Sequence, residues 1–295
     1  MASRSPITVI IPTYQRLDKL PITLKNILAC DPQPSEIIIH VDGNDTTTEK
    51  WLQDYFPQIK VIKSQTRIGP GGGRNAMIEA ANNPIIASFD DDSYPLDGDY
   101  FTRLTHLFQC FPEAGIIGAT IFHQGETPAP DTLTAFWTAD FVGCGCAYRK
   151  GVFLETTGYV ALPLAYGMEE SDLSLRLHGM GWKIVTSSWL RVVHNTKLKH
   201  HENAQITAAN IANQALLTYL RYPTILWGLG MVQWSRKVLW FLQHQRYKGI
   251  LKGISLIPWL LWTNREHRQS LRPHSIFSYL RLRKHKIEVQ RKLEI

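Results

Sequence analysis

Cysteine is scarce: Cys30, Cys110, Cys144 and Cys146 are the only four in 295 residues, and no C-x-x-C spacing occurs. A cysteine-built zinc site and a disulfide scaffold are thereby excluded, and free thiols in a reducing compartment are expected. Long apolar runs are also missing. The uncharged stretches Pro223–Ser235 and Gly253–Asn264 fall short of the roughly 20 residues that a straight helix needs to cross a bilayer. Ile7–Pro12 is too short, and too soon broken by proline, for a cleavable secretory leader. No internal repeat and no low-complexity tract is present. Acid is rare in one region only. Residues 236–295 hold 14 Lys+Arg against 3 Asp+Glu, whereas residues 1–235 hold 18 against 22. The net charge of +7 therefore sits in the tail, and a basic tail seeks polyanions, either nucleic acid or anionic lipid.

What is present begins with a core. At 44% hydrophobic residues the chain buries enough for one large domain or two modest ones. Ile7–Ile11, Glu36–Val41, Lys60–Ser64 and Ile85–Phe89 read as strands. Leu17 to Leu28, Thr46–Tyr55 and Arg74–Ala81 read as the helices between them, with Gly69–Gly73 as a loop. This alternation predicts an α/β fold whose ligands bind beyond the carboxyl ends of the strands. Further on, 100–111, Glu170–Met180 and Asn203–Tyr222 read as helices. Gly115–Phe122, Ala139–Arg149, Trp182–Thr186 and Trp189–His194 read as strands.

Three clusters fall at the ends of the early strands: Pro12–Arg16, Asp42–Asp45 and Asp90-Asp91-Asp92. The triplet carries the most information. Three acids that close a buried strand repel one another and lose hydration, so they call for a counterion. A divalent cation bearing a phosphate ester fits, because Mg²⁺ and Mn²⁺ favour carboxylate oxygens together with substrate phosphates. The alternative is a solvated acidic turn. Gly69–Gly73 is not a dinucleotide fingerprint, since that motif follows the first strand and this run precedes the fourth.

The tail has its own pattern. Five of the nine tryptophans lie between Trp227 and Trp262. Tyr247, Ile250, Leu251 and Ile254 fall on one helical face, and Gln245, Arg246, Lys248 and Lys252 on the other. Tryptophan and base beside an apolar face suit a membrane interface. The alternative is a helical pair packed on the body with tryptophan as core.

Taken together, these pieces resemble the family 2 glycosyltransferases. Val9 to Arg16 is similar to that family's first strand and loop, and Glu36 to Gly43 to its second strand with the acidic base-binding turn. Gly69 to Asn75 resembles its G…ARN segment, and Asp90-Asp91-Asp92 its D-x-D metal motif. Gly167 to Leu173 with Arg176 resembles its E-D/E-x-D-L…R motif. The matches span 7–194, about two-thirds of the chain. Two departures stand out. Val41 and Asn44 replace the first acid and the serine of the usual turn, and Glu169-Glu170 stands where Glu-Asp is common. The stretch Arg272-Pro273-His274-Ser275 in a basic, Trp-rich tail looks like the bacterial rhamnosyltransferase-like branch.

The resemblance implies a GT-A fold, Rossmann-like with a mixed sheet flanked by helices, over residues 1–222. Residues 1–98 would form its nucleotide-binding half and 99–222 its acceptor half, with 223–295 a helical, membrane-associating extension. It implies a nucleotide-diphosphate sugar donor, a glycan or lipid-linked glycan acceptor, and Mn²⁺ or Mg²⁺. Pro12, Thr13, Tyr14, Arg16, Asp42, Gly73 and Arg74 would line the nucleotide, and Asp90 or Asp91 would accept from the ribose. Asp92, Asp90 and His194 would hold the metal. Glu170 takes the position of the catalytic base, with Glu169 and Asp172 as near alternatives, and a single base without a nucleophile gives inversion. His200 and His201, with Lys197 and Lys199, would close over the diphosphate. The site would lie in the cytoplasm, on the inner face of the plasma membrane. A silent scaffold is the non-enzymatic alternative. A nucleotidyltransferase needs a glycine loop that Pro12–Arg16 lacks, and no nucleic-acid recognition motif is present.

Overall fold

The computed structural model describes residues 3–162, 164, 166–196 and 203–289. Strand and helix alternate first: β1 (Arg4–Thr13), α1 (Leu20–Leu28), β2 (Gln33–Val41), α2 (Thr46–Tyr55), β3 (Lys60–Lys63), α3 (Gly69–Ala80) and β4 (Ile85–Phe89). A short β5 (Ser93–Pro95) leads to α4 (Tyr100–Cys110) and β6 (Ala114–His123). Then come β7 (Ala135–Thr138), β8 (Gly145–Arg149), α5 (Lys150–Leu154), α6 (Glu169–Met180), β9 (Lys183–His194) and α7 (Ala204–Arg221). The tail supplies α8 (Trp227–Gln243), α9 (Ile250–Thr263), α10 (Pro273–Lys284) and β10 (Ile287–Glu288).

These strands make one mixed sheet in the order β10-β7-β9-β6-β8-β4-β1-β2-β3, with β5 on β9. The β1–β2, β1–β4 and β2–β3 pairs are parallel, so the ends of β1, β2 and β4 point the same way. Antiparallel β8 joins this part to the parallel pair β6–β9. The continuous apolar run of β1 follows from its central place, which buries both faces. Ile7, Val9 and Ile11 pack with Leu24 of α1 and Leu104 of α4 on one side. Ile10 packs with Met77 of α3 and Leu173 of α6 on the other. The fold is GT-A-like, as expected.

Several local expectations are corrected. Gly69–Gly73 is the opening of α3 rather than a loop. Its glycines serve close approach: a Cβ on Gly73 would lie 2.5 Å from His40 Nδ1, and one on Gly71 would overlap Glu169 Oε1. Of the segment 139–149 only Gly145–Arg149 is strand, β8, which pairs with β4 and β6, while β7 lies before the segment and pairs with β9. The two strands expected in 182–194 are one, β9, whose register against β6 jumps from Ser187 to Arg191. The helix expected across 245–254 is interrupted. Gln245 (φ 57°) and Gly249 (φ 99°) turn the chain between α8 and α9.

The extension packs on the body. One buried cluster joins Ala139, Leu162, Leu175 and Leu216 to Leu260, Ile276 and Tyr279 of the tail. β10 adds to the sheet edge by pairing with β7. Among the described residues no helix is long and apolar enough to cross a membrane.

Candidate active site

The parallel strands end beside a cleft of about 310 Å³. Pro12, Thr13, Tyr14 and Arg16 line it from the end of β1 and the turn beyond, and Asp42 from the turn after β2. Asp90, Asp91 and Asp92 follow β4, and His194 closes β9. Residues up to 184 positions apart in sequence, Pro12 and Thr196, thus share one opening. Sequence reading did not single out two more of its walls, Arg67 and Tyr166.

The triplet turn is held rigidly. Asp90 N–H donates to Ser93 Oγ (2.8 Å), which donates to the Cys144 carbonyl (2.7 Å). Thr13 Oγ1 donates to Asp91 Oδ2 (2.9 Å) and Thr23 Oγ1 to the Asp91 carbonyl (2.8 Å). Burial pushes the Asp91 carboxyl up to about 7, with Arg16 pulling it down less than burial, Asp92 and Asp90 push it up. Asp92 is different. Burial raises it, but His194 Nε2 at 3.1 Å and Arg16 Nη2 at 2.7 Å outweigh that and hold it below the usual carboxylate range. Burial would lower His194, and the bond to Asp92 raises it instead.

Asp42 is equally prepared. Burial opposes its ionisation, but it accepts from Ile68 N–H (3.0 Å), Ser64 Oγ (2.7 Å) and Gly69 N–H (3.0 Å), which keep it low. Asp45, three residues on, caps α2 by accepting from Thr48 N–H at 3.2 Å. Tyr14 lies under the Arg67 guanidinium, 4.3 Å from its ring centre. Arg67 has no carboxylate within ion-pair distance among the described residues.

A second chamber of about 310 Å³ shares Arg67, Pro70, Asp90 and Tyr166 with the cleft and adds Arg74, Glu169 and Glu170. Arg74 is buried and organises the boundary. Its Nη2 meets Asp90 at 2.5 Å, its Nε donates to Ser88 Oγ (3.0 Å), and its Nη1 stands 3.6 Å from Glu169. Glu169 accepts from Gly71 N–H (2.8 Å), and burial pushes it up to about 8 despite Arg74. Burial also raises Glu170, which is only partly enclosed and faces the chamber.

Two expected site residues stand elsewhere. Asp172 lines neither space. Its carboxylate is fully enclosed by Arg176 (2.8 Å) and Arg221 (2.5 Å), so it neutralises buried cations and is not a candidate base. Gly73 lies beneath the cleft, against His40. The expected loop of Lys197, Lys199, His200 and His201 falls outside the described residues.

The donor set fits a divalent cation. Asp90, Cys144 and His194 each bring one ligand atom within 4.8 Å of the others, and Asp92 touches His194. Carboxylate and imidazole suit Mn²⁺ or Mg²⁺, while the Cys144 thiol, which burial pushes well up, is a poor thiolate donor.

The fold is that of the GT-A-like structures. Residues 8–141, a little under half of the chain, match the model of glycosyl transferase family 2. Over 179 residues the chain is 24% identical to the glucosyl-dolichyl phosphate glucuronosyltransferase of Haloferax volcanii, covering 52% of this chain and 55% of that one. The match therefore spans about half the length of that relative. The mannosyltransferase of Pyrobaculum calidifontis, solved with GDP-Man and Mn²⁺, has a similar structure: TM-score 0.56 at 14% identity, over 90% of this chain and 76% of that one. GalNAc-T7, solved with UDP, GalNAc and Mn²⁺, gives 0.57 at 12% identity, over 76% and 49%. S. aureus TarS with UDP-GlcNAc gives 0.53 at 15%, over 72% and 65%.

Proposed function

We propose that the protein transfers a sugar from a nucleotide-diphosphate donor to a hydroxyl of a glycan or lipid-linked glycan, with inversion and with a divalent metal. One observation carries this reading: the cleft of Asp42 and Asp90–Asp92 shares the walls Arg67, Pro70, Asp90 and Tyr166 with the chamber of Glu169 and Glu170. Tyr14 and Asp42 suit a nucleobase, the first by its ring face and the second by accepting from a base N–H. Arg67 stands where the two spaces meet and suits the diphosphate. Asp92, Asp90 and His194 would hold Mn²⁺ or Mg²⁺. When bound, the ion neutralises charge on the departing diphosphate as a Lewis acid. Asp91 is placed for the ribose hydroxyls.

Glu170 takes the proton of the attacking hydroxyl. Burial raises its pKa above the ordinary carboxylate value, which strengthens it as a proton acceptor. Glu169 is tied to Gly71 and Arg74, and acts by holding α3 and Arg74 in place. Among the described residues Arg74 engages both Asp90 and Glu169, which supports Glu170 acting as a base in a single displacement with inversion.

The basic tail and its exposed tryptophans support a site on the inner, anionic face of a bacterial plasma membrane. Arg272-Pro273-His274-Ser275, which opens α10, supports the rhamnosyltransferase-like branch. The test is a thermal-shift screen of nucleoside diphosphates with and without Mn²⁺, followed by Asp92→Ala. One diphosphate should raise the melting point only with metal, and Asp92→Ala should lose that shift and the transfer while remaining folded. Stabilisation that ignores both metal and Asp92 would refute the reading.

A further inference from the structure

The adjoining spaces do not end at the carboxylates. Leu164 walls the Glu169–Glu170 chamber and also a separate groove of about 300 Å³ between α7 and α9. Leu162, Ala209, Leu256 and Leu260 make most of that groove, and Lys252 is its one charged wall. Two features fix it relative to the chemistry. Asn213 of α7 is 2% exposed and donates from Nδ2 to the Leu164 carbonyl (2.8 Å) and the Tyr166 carbonyl (3.2 Å). The helix that floors the groove therefore pins the segment dividing the two spaces. Next, α9 sits tight on α7, since a Cβ on Gly253 would lie 2.7 Å from the Ala208 carbonyl oxygen.

The outer side of α9 is apolar and open. Leu251 is 82% exposed, Trp259 60% and Trp262 67%. Lys252 is the only charge on that helix, which carries no acid.

We infer that the groove holds the hydrocarbon chain of the acceptor, which is a single-chain lipid phosphate carrying the sugar hydroxyl. Its phosphate pairs with Lys252, and its glycan end reaches past Leu164 toward Glu170. The inference rests on reading that chamber as the acceptor side. A bare glycan would bring hydroxyls against walls that offer few partners, whereas a hydrocarbon gains by leaving water. The exposed apolar side of α9 gives such a chain a route from a bilayer that avoids water.

The test uses the full chain and farnesyl phosphate, with binding followed by calorimetry. Farnesyl phosphate should bind, and isopentenyl phosphate, with the same head and a short chain, should bind more weakly. Ala209→Phe, which fills the groove, and Lys252→Glu should each weaken farnesyl phosphate by about tenfold or more. Lys252 is exposed, so its variant folds even where the groove-filling one does not. Unchanged affinity in Lys252→Glu, equal affinity for inorganic phosphate, or equal displacement by phosphatidylglycerol vesicles would each overturn the proposal. Stabilisation by nucleoside diphosphate with Mn²⁺ is measured in parallel. Its failure would sink the donor reading while farnesyl phosphate binding stands, and the reverse pattern would sink the groove alone.

Discussion

Glu170 and Asp172 stand two residues apart on α6 in opposite surroundings. Glu170 faces a chamber, while both oxygens of Asp172 are engaged by Arg176 and Arg221. Substituting Asp172→Ala leaves two buried guanidinium groups without a counterion. We expect a loss of about 3–5 kcal/mol in urea unfolding. Glu170→Gln should lower kcat by about 10² to 10⁴ and leave the urea midpoint nearly unchanged. Glu169 gives a pH signature. Its folded pKa of about 8 lies above the ordinary value of 4.5. Its protonated form therefore supports the fold fully below pH 4.5, and that support fades as pH rises through 8. The urea midpoint of Glu169→Gln should accordingly gain on that of wild type between pH 5 and pH 8.5. Acids were the legible part of the site, because a carboxylate at the end of an apolar strand has few structural reasons to be there. Arg67 and Tyr166 were not legible. Both come from loops, and the Tyr166 carbonyl is bound by Asn213, 47 residues further on.

At the scale of elements, strands and helices up to β4 follow from hydrophobic spacing, and α2 matches its expected bounds, Thr46–Tyr55. The failures share a cause: tertiary contact reassigned what a residue type signals locally. Glycine in Gly69–Gly73 reads as a breaker, yet here it lets α3 lie against His40 and Glu169. Gly73→Ala should therefore cost about 1–3 kcal/mol through overpacking. Gly98→Ala, with nothing within 4 Å of the added carbon, should stay within about 0.5 kcal/mol of wild type. Both are read from urea midpoints. The register jump in β9 hid one long strand as two short ones. Antiparallel β8 between β4 and β6 is a fact of topology that no local pattern in 145–149 announces.

For the whole molecule, composition pointed to a basic, Trp-rich extension, and the open question was whether it packs or meets lipid. It packs through Leu260, Ile276 and Tyr279, and it still exposes Leu251, Trp259 and Trp262. Both roles are therefore compatible in one helix. Flotation with phosphatidylglycerol vesicles should carry the protein at low salt and release it as salt screens the basic groups, over a Debye length of about 10 Å at 0.1 M. The double variant Trp259→Ser, Trp262→Ser should float less at every salt concentration.

Arg221 makes the extension more than an appendage. Its guanidinium reaches Asp172 of α6 on one side and donates to the His267 carbonyl (2.9 Å) on the other. Cutting the chain after Tyr222, a natural choice for obtaining a smaller protein, would strip that anchor and uncover Leu175 and Leu216. Such a fragment would not be a trimmed catalyst but an unfinished one, and it should aggregate before it could turn over.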